Sequence, residues 1–526
     1  MTARRGCLTA CTPRSDVADD RPNILLIMAD QLSAGALPAY GHPVVSAPNL
    51  TRLAEAGAVF EAAYCASPLC APSRSAMLTG RRASAVGVYD NAAELPAGTP
   101  TITHLLRAAG YATVLTGKMH FVGPDQLHGF EQRLTSDVYP ATFDWTPDWR
   151  RSDERSLPWY HNMNSLLGTR IAEAAMQTDY DDEVCFTAVQ LLRDLSRQPH
   201  RRPFFATVSF TNPHDPWEVR RPHWERYSDS EIGLPEVATI PREQADPHSL
   251  RLRDMIGCDE RPLSEEEVRK ARHGYYAAIS YLDDRVGDVL DALEATGLAN
   301  DTIVLFTADH GEMLGERGLW YKMSFFDGSA RVPLIAAGPG IAPARHAGPV
   351  SQVDLAPTLA ELAPVGGDDA EYEGTSLAPL LRGGAAGGPD WVAGEYLAEG
   401  VRAPSVMLRR GRHKFIRTPG DPDQLYDLDA DRLELDNLAG DPAHAAVVEE
   451  MGAEVRRRWD LEALDAEVRE SQRRRRLVAA GLRHGAQTPW DHQPFVDASV
   501  QWVRGERAGA EHPSRLRPRG DLPERE

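Results

Sequence analysis

Asn23-Ile24-Leu25-Leu26-Ile27-Met28-Ala29-Asp30 and Thr302-Ile303-Val304-Leu305-Phe306-Thr307-Ala308-Asp309 are the two stretches on which the fold turns. Each is a short apolar run closed by an aspartate. Strands are read at 23–28 and 302–306, with further apolar runs at 112–115 and 204–210. Helical patterns lie between them at 49–56, 102–109, 181–195, 265–295 and 353–362, with Gly57, Gly110 and Gly297 as stops. This alternation predicts an α/β fold, a mainly parallel sheet flanked by helices on both faces. Ligands of such sheets bind beyond the carboxyl ends of the strands, so Asp30 and Asp309 are expected to converge. Hard oxygen donors brought to one point suit Ca²⁺, Mg²⁺ or Mn²⁺ better than a thiolate-loving ion. Either aspartate alone would as readily be a helix cap.

A chain of 526 residues, 42% hydrophobic, can bury a large core and has room for two to four domains or one large α/β domain with additions. Its 77 acidic against 57 basic residues give a net charge of −20, which disfavours a nucleic-acid partner and favours a cationic or zwitterionic substrate. The six cysteines (Cys7, Cys11, Cys65, Cys70, Cys185, Cys258) form neither a disulfide framework nor a Cys-x-x-Cys metal pair, which points to a reducing cytosol. Arg4-Arg5 and Leu8-Thr9-Ala10-Cys11 imitate export signals but lack an apolar h-region, so residues 1–20 are expected to be a disordered extension. No apolar run approaches the roughly 20 residues of a membrane helix.

The catalytic domain is expected over 21–382, followed by the linker Gly383-Gly384-Ala385-Ala386-Gly387-Gly388-Pro389. A smaller α+β subdomain should then occupy 390–505, with strands at 406–409 and 414–416 and a helix from about Ala443 to Ala480, before a flexible tail at 506–526. Residues 146–164 read as a long loop or lid, and Arg473-Arg474-Arg475-Arg476 as a solvated helix face.

Chemistry concentrates in Ser67-Pro68-Leu69-Cys70-Ala71-Pro72-Ser73-Arg74, followed by Leu78-Thr79-Gly80-Arg81. A lone cysteine is usually a small buried hydrophobe. Here Pro72 suits the first position of a helix ending at Gly80, so a helix N-terminus would face residue 70 and favour an anion there. Lys118 and His120, two residues apart, share one face of an extended segment. His214, in Thr211-Asn212-Pro213-His214-Asp215-Pro216, follows the strand that ends at Phe210 and so also reaches the carboxyl edge.

Together with Arg21-Pro-Asn-Ile-Leu25, Tyr89-Asp-Asn-Ala-Ala-Glu-Leu-Pro96, Gly117-Lys-Met-His-Phe-Val-Gly-Pro-Asp125 and Gly311-Glu-Met-Leu-Gly-Glu-Arg-Gly-Leu-Trp-Tyr-Lys322, these runs resemble the formylglycine-dependent sulfatases of the alkaline-phosphatase superfamily, and among them the choline sulfatases, nearly throughout 21–505. The resemblance implies that a separate maturation enzyme oxidises Cys70 to formylglycine, whose gem-diol is the nucleophile. It implies one divalent metal, Ca²⁺ first and Mn²⁺ or Mg²⁺ as alternatives, held by Asp30, Cys70, Asp309 and His310. Arg74, Lys118, His120, His214 and Lys322 match the family's catalytic positions, and Asn91, Trp145, His161 and Glu399 its substrate contacts; a homo-oligomer is implied as well. Gln31 stands where many sulfatases carry a second aspartate and is not counted as a ligand. The reaction so implied is hydrolysis of choline O-sulfate. One hydroxyl attacks sulfur, a protonated side chain assists the departing alcohol, and a base at His120 then expels sulfate. A trimethylammonium group has no hydrogen-bond donor, so aromatic faces and diffuse negative charge suit it best. Hydrolysis of aryl sulfates or of phosphonate or phosphate esters is the alternative on the same fold. A silent metal- and anion-binding homologue is the other, and the intact Cys-x-Pro-Ser-Arg argues against it.

Overall fold

The computed structural model of the protein describes residues 21–151, 161–198, 202–365, 371–384 and 388–484. The expected N-terminal extension 1–20, the end of the subdomain beyond 484, the tail 506–526 and parts of the 146–164 loop and the 383–389 linker lie outside the described residues.

The main sheet contains β1 (Asn23–Ala29), β2 (Ala58–Tyr64), β3 (Ala112–Gly117), β4 (Gln132–Arg133), β5 (Phe204–Ser209), β6 (Thr302–Ala308), β7 (Arg331–Val332), β8 (Leu334–Ala337) and β9 (Ala344–Ser351). Their order is β9-β2-β8-β6-β1-β5-β3-β4, with β7 beside β2. β1 runs parallel to both β5 and β6, and β3 is parallel to β5, whereas β8 is antiparallel to both of its neighbours. The sheet is therefore mainly parallel, as expected. β1, β5 and β6 are buried along their whole length, which is why they read as unbroken apolar runs.

Register then places the chemistry. Ala29 pairs with Ala308, and Ser209 faces both Met28 and Gly117, so the carboxyl ends of β3, β5, β1 and β6 form one row. Lys118, Asp30 and Asp309 are the next residues off that row. Gly117 is required there: a Cβ would lie 1.9 Å from the Ser209 carbonyl oxygen, and its φ is +100°.

The helices that flank the sheet include α1 (Pro48–Ala56), α2 (Cys70–Thr79), α3 (Ile102–Ala108), α4 (Met176–Ser196), α5 (Glu265–Ala295) and α6 (Leu355–Leu362). The helix expected to begin at Pro72 begins two residues earlier, at Cys70, and still stops at Gly80 in a left-handed conformation. After the linker, β10 (Val392–Tyr396), β11 (Ser405–Arg410), β12 (His413–Arg417) and β13 (Gln424–Asp427) form a separate antiparallel sheet. Buried Lys414 of β12 joins it to the main body through Asp327 and the Phe325 carbonyl, the latter at 2.9 Å, and pairs within the subdomain with Glu434. The single helix expected over 443–480 is two helices, α7 (Ala445–Arg458) and α8 (Leu461–Leu482). The break follows from local bonding: the Trp459 indole donates to Glu395, and the Asp460 side chain accepts from Ala463 N–H to start α8. The Arg473–Arg476 run is only in part the solvated face expected. Arg473 and Arg474 are exposed, but Arg475 is buried against Asp90. Among the described residues no helix is long and apolar enough to cross a membrane, and the buried Cys65, Cys70 and Cys185 are free thiols.

Candidate active site

Every residue of α2 is buried. Its first turn has no side-chain cap from Leu69, and Asn91 Oδ1 takes the Ala71 N–H at 2.9 Å instead. Ser73 Oγ donates to the Asp309 carbonyl at 2.6 Å. Arg74 reaches further: Nε donates to Asp309 Oδ2 at 2.8 Å, and Nη1 to the Lys118 carbonyl at 2.7 Å and Ser209 Oγ at 2.8 Å. The helix is thereby fastened to the ends of β6, β3 and β5, with Cys70 at its N-terminus over the row of strand ends.

Cys70 Sγ lies 3.2 Å from His310 Nε2 and 3.9 Å from Asp30 Oδ1. Asp30, Cys70, Asp309 and His310 each present one ligand atom, all within 4.8 Å of one another and all buried. Burial, and then the neighbouring Asp309, push the Asp30 carboxyl well above its ordinary value, although Lys118 pulls it back. Burial acts on Asp309 in the same sense, but Arg74 and His310 outweigh it and hold that carboxyl well below the usual range. Two buried carboxylates and an imidazole sharing so small a volume are a donor set that fits a hard divalent cation. Burial also pushes the Cys70 thiol up to about 11, so the unmodified sulfur is not a thiolate near neutral pH.

Around this cluster stand the cations. Lys118 Nζ pairs with Asp30 Oδ2 and lies 3.8 Å from the centre of the Tyr139 ring. His120 stacks on Tyr139 at 4.8 Å and meets the edge of Trp145 at 6.0 Å. Neither ring nitrogen of His120 has a hydrogen-bond partner among the described residues, and burial followed by Lys118 pushes its pKa down to about 3. It is a neutral imidazole at neutral pH. Asp137 Oδ2 accepts the N–H groups of Met119 and His120 at 3.0 Å each, which fixes the turn that presents the ring. Across the site, Lys322 Nζ lies 2.8 Å from His214 Nε2, and His214 Nδ1 lies 2.6 Å from the Asp215 carbonyl. The tautomer that donates from Nδ1 leaves Nε2 to accept from the lysine. Gln31 is occupied at both ends of its amide: Oε1 accepts from Lys322, and Nε2 donates to Glu312 Oε2 at 2.6 Å and Asp215 Oδ1 at 3.3 Å.

A second group of expected residues adjoins the first. His161 Nδ1 lies 3.6 Å from Glu399 Oε1, and the His161 ring packs at 5.1 Å on Tyr321, the residue before Lys322. Burial pushes the Glu399 carboxyl up to about 7, with further repulsion from Asp90. Gln31, His120, His161, Tyr321 and Met323 all have positive φ, between 44° and 75°. Such backbone is strained for residues with a Cβ, and its concentration here marks a site held by its surroundings.

The structure thus gathers Asp30, Cys70, Arg74, Lys118, His120, His214, Asp309, His310 and Lys322 into one contact network. Trp145 joins through His120, His161 through Tyr321, Glu399 through His161, and Asn91 through the first turn of α2. Sequence reasoning missed Tyr139, which touches Lys118, His120 and Trp145, and also Asp137 and Glu312. Glu312 stands three residues beyond Asp309 in a stretch already singled out, whereas Tyr139 carries no local signal.

Comparison with known proteins agrees with this geometry. Residues 22–365 match the sulfatase family model, 466–508 the choline sulfatase enzyme C-terminal model, and 315–460 the C-terminal model of N-sulphoglucosamine sulphohydrolase. The chain is 50% identical to the choline-sulfatase of Rhizobium meliloti (strain 1021), over 92% of this chain and 96% of that protein. It is 31% identical to arylsulfatase K of Danio rerio over 80% of each. Among solved structures, the phosphonate monoester hydrolase of Agrobacterium radiobacter superposes with a TM-score of 0.66 at 27% identity, covering 85% of this chain and 96% of that one. Its sheet is that of the alkaline-phosphatase-like sulfatases. The chain belongs to the sulfatase family and is a sulfuric ester hydrolase.

Proposed function

We propose that the protein hydrolyses choline O-sulfate to choline and sulfate. The observation that carries this reading is the buried Glu399 carboxylate, set against His161 and within the field of Lys322, together with Trp145 beside His120. A buried carboxylate and an aromatic face suit a cation that offers no hydrogen-bond donor. The 50% identity to a choline-sulfatase supports the same substrate.

Cys70 is matured by a separate enzyme to formylglycine, whose hydrated aldehyde supplies an oxygen nucleophile. A divalent cation, Ca²⁺ before Mn²⁺ or Mg²⁺, would be held by Asp30, Asp309, His310 and the matured residue 70, and would supply positive charge there. The chain's own side chains do the rest. Arg74 holds Asp309 in place, and its buried Nη2 has no partner among the described residues, leaving a donor for an anion. Lys118 and Lys322 add two ammonium groups around the non-bridging oxygens. Lys322, hydrogen-bonded to His214, is the source of the proton that the departing alcohol oxygen needs. His120, whose two ring nitrogens have no partner among the described residues, is the base that accepts a proton as sulfate leaves.

Trp145→Ala and Glu399→Gln are each expected to raise KM for choline O-sulfate by about tenfold, as loss of roughly 0.5–2 kcal/mol of cation attraction implies, with a much smaller effect on an uncharged aryl sulfate. Steady-state kinetics with both substrates checks this. Equal losses on both would make these residues structural, and faster turnover of the aryl sulfate or of a phosphonate ester by the unmutated protein would favour the alternative substrates. A pH dependence follows from the raised pKa. Glu399 is ionised above about 7 and neutral below it, so KM for the cationic ester should rise as pH falls from about 8 to about 6. Glu399→Gln should flatten that rise. Choline binding near pH 7 should also release protons, which calorimetry in buffers of different ionisation enthalpy would detect.

A further inference from the structure

α8 lies against two loops that carry the alcohol side of the site. Gln472 Oε1 accepts the Trp149 N–H at 3.0 Å, and Arg469 Nη1 donates to the Trp149 carbonyl at 3.0 Å. The Trp149 indole in turn donates to the Ala398 carbonyl at 2.7 Å, one residue before Glu399. One helical turn further on, the Arg475 guanidinium spans Asp90 with two bonds of 2.6 and 2.7 Å and donates to Thr146 Oγ1 at 3.2 Å. Thr146 follows Trp145, and Asp90 precedes Asn91, the residue that closes the N-terminus of α2. One buried side chain therefore ties the Trp145 loop to the Asn91 turn. A planar fork on a carboxylate fixes orientation as well as distance.

We propose that Arg475 is a positioning residue for the alcohol-binding side of the site, holding Trp145 and Asn91 in the register at which they meet a cationic leaving group. The inference deepens the choline O-sulfate reading and rests on it. Among the described residues the side-chain partners of Arg475 are Asp90, Thr146 and Ser471, and none of the metal-cluster residues, so its effect should fall more on recognition of the alcohol than on the sulfate-transfer chemistry. Its partner Asp90 is fully buried and repels Glu399, so the guanidinium also offsets a charge that would otherwise push the Glu399 carboxyl toward its neutral form.

The test uses the full chain and three variants, Arg475→Met, Arg475→Lys and the double variant Asp90→Asn/Arg475→Met. The double variant removes the stranded carboxylate in case Arg475→Met fails to fold. Measured are kcat and KM on choline O-sulfate and on an uncharged aryl sulfate, the Kd of choline by calorimetry, and Tm. Arg475→Met should raise KM for choline O-sulfate and the choline Kd by about ten- to a hundredfold, the scale on which a misplaced contact acts. The loss on the aryl sulfate should be several-fold smaller. Arg475→Lys should fall between, because it keeps the charge and loses the fork, and the double variant should still bind choline poorly. An unchanged choline Kd in a folded variant, or equal losses on both substrates, overturns the inference and leaves the substrate reading intact. Failure of the unmutated protein to bind choline or to prefer its sulfate ester overturns that reading and this inference with it.

Discussion

Cys70→Ala should abolish turnover, lowering kcat by about four to six orders of magnitude, the scale on which removal of a nucleophile acts. The protein should remain folded. Deleting one buried sulfur atom from a helix fastened through Ser73, Arg74 and Asn91 costs on the order of 1 kcal/mol, far less than the global stability of a domain this size. Intact-peptide mass spectrometry of the segment containing residue 70 gives the companion measurement: active preparations should have exchanged the thiol for an aldehyde, and activity should scale with the fraction converted. Turnover by a Cys70→Ala preparation near the unmutated rate would sink the assignment. Since the buried thiol titrates near 11, a fully unconverted preparation is also expected to be inactive near neutral pH.

Asp309→Asn carries the second large effect. The carboxylate is one of two in the donor cluster and the partner of Arg74 at 2.8 Å, so the amide both weakens the cation site and strands a buried guanidinium. Metal occupancy, measured on the purified protein, should fall by at least about a hundredfold in affinity, since even outer partners of a metal ligand are worth ten- to a hundredfold. Turnover should fall with it. Asp30→Asn strands the buried Lys118 ammonium instead of Arg74, so a loss of metal shared by both variants is traced to the cation site and not to the Arg74 guanidinium. Chelation of the unmutated protein should silence it, and restoring Ca²⁺, Mn²⁺ or Mg²⁺ singly identifies the ion. A chelated, metal-depleted preparation hydrolysing sulfate esters at the original rate would show that the two carboxylates are neutralised by Lys118 and Arg74 alone.

What could be read without the structure follows from how each element is buried. β1 and β6 are covered on both faces and end in aspartate, so apolar continuity and a terminal charge both survive in the sequence. β2, with sequence Ala58-Val-Phe-Glu-Ala-Ala-Tyr64, escaped because alanine and glutamate are weak strand formers and its burial comes from its neighbours. β9 escaped because it is mostly exposed or half-buried, carries Gly348 and Pro349, and is interrupted by an irregularity between His346 and Pro349. Motif residues were legible because their spacing is local. Tyr139 was not, since its partners Lys118, His120 and Trp145 come from segments on either side of it and no pattern in its own neighbourhood announces a ring at that place. Arg475 was misjudged within its basic run for a related reason: one member of four is chosen for burial by a carboxylate far away in the chain, at Asp90.

The burial of α2 has a consequence for the order of events in biosynthesis. In the finished fold Cys70 has no exposed surface, and the helix around it is sealed by Asp309 and His310 from the far end of β6. A chain growing from its N-terminus presents residue 70 long before residues 302–310 have been made, and contacts of such sequence separation form late. If Cys70 is matured as proposed, its oxidation by another protein would have to take place in that interval, on a nascent or still unfolded chain. Closing the sheet would end the opportunity, so on the proposed maturation the yield of competent enzyme would be set by a race between modification and folding, and slowing folding should increase it.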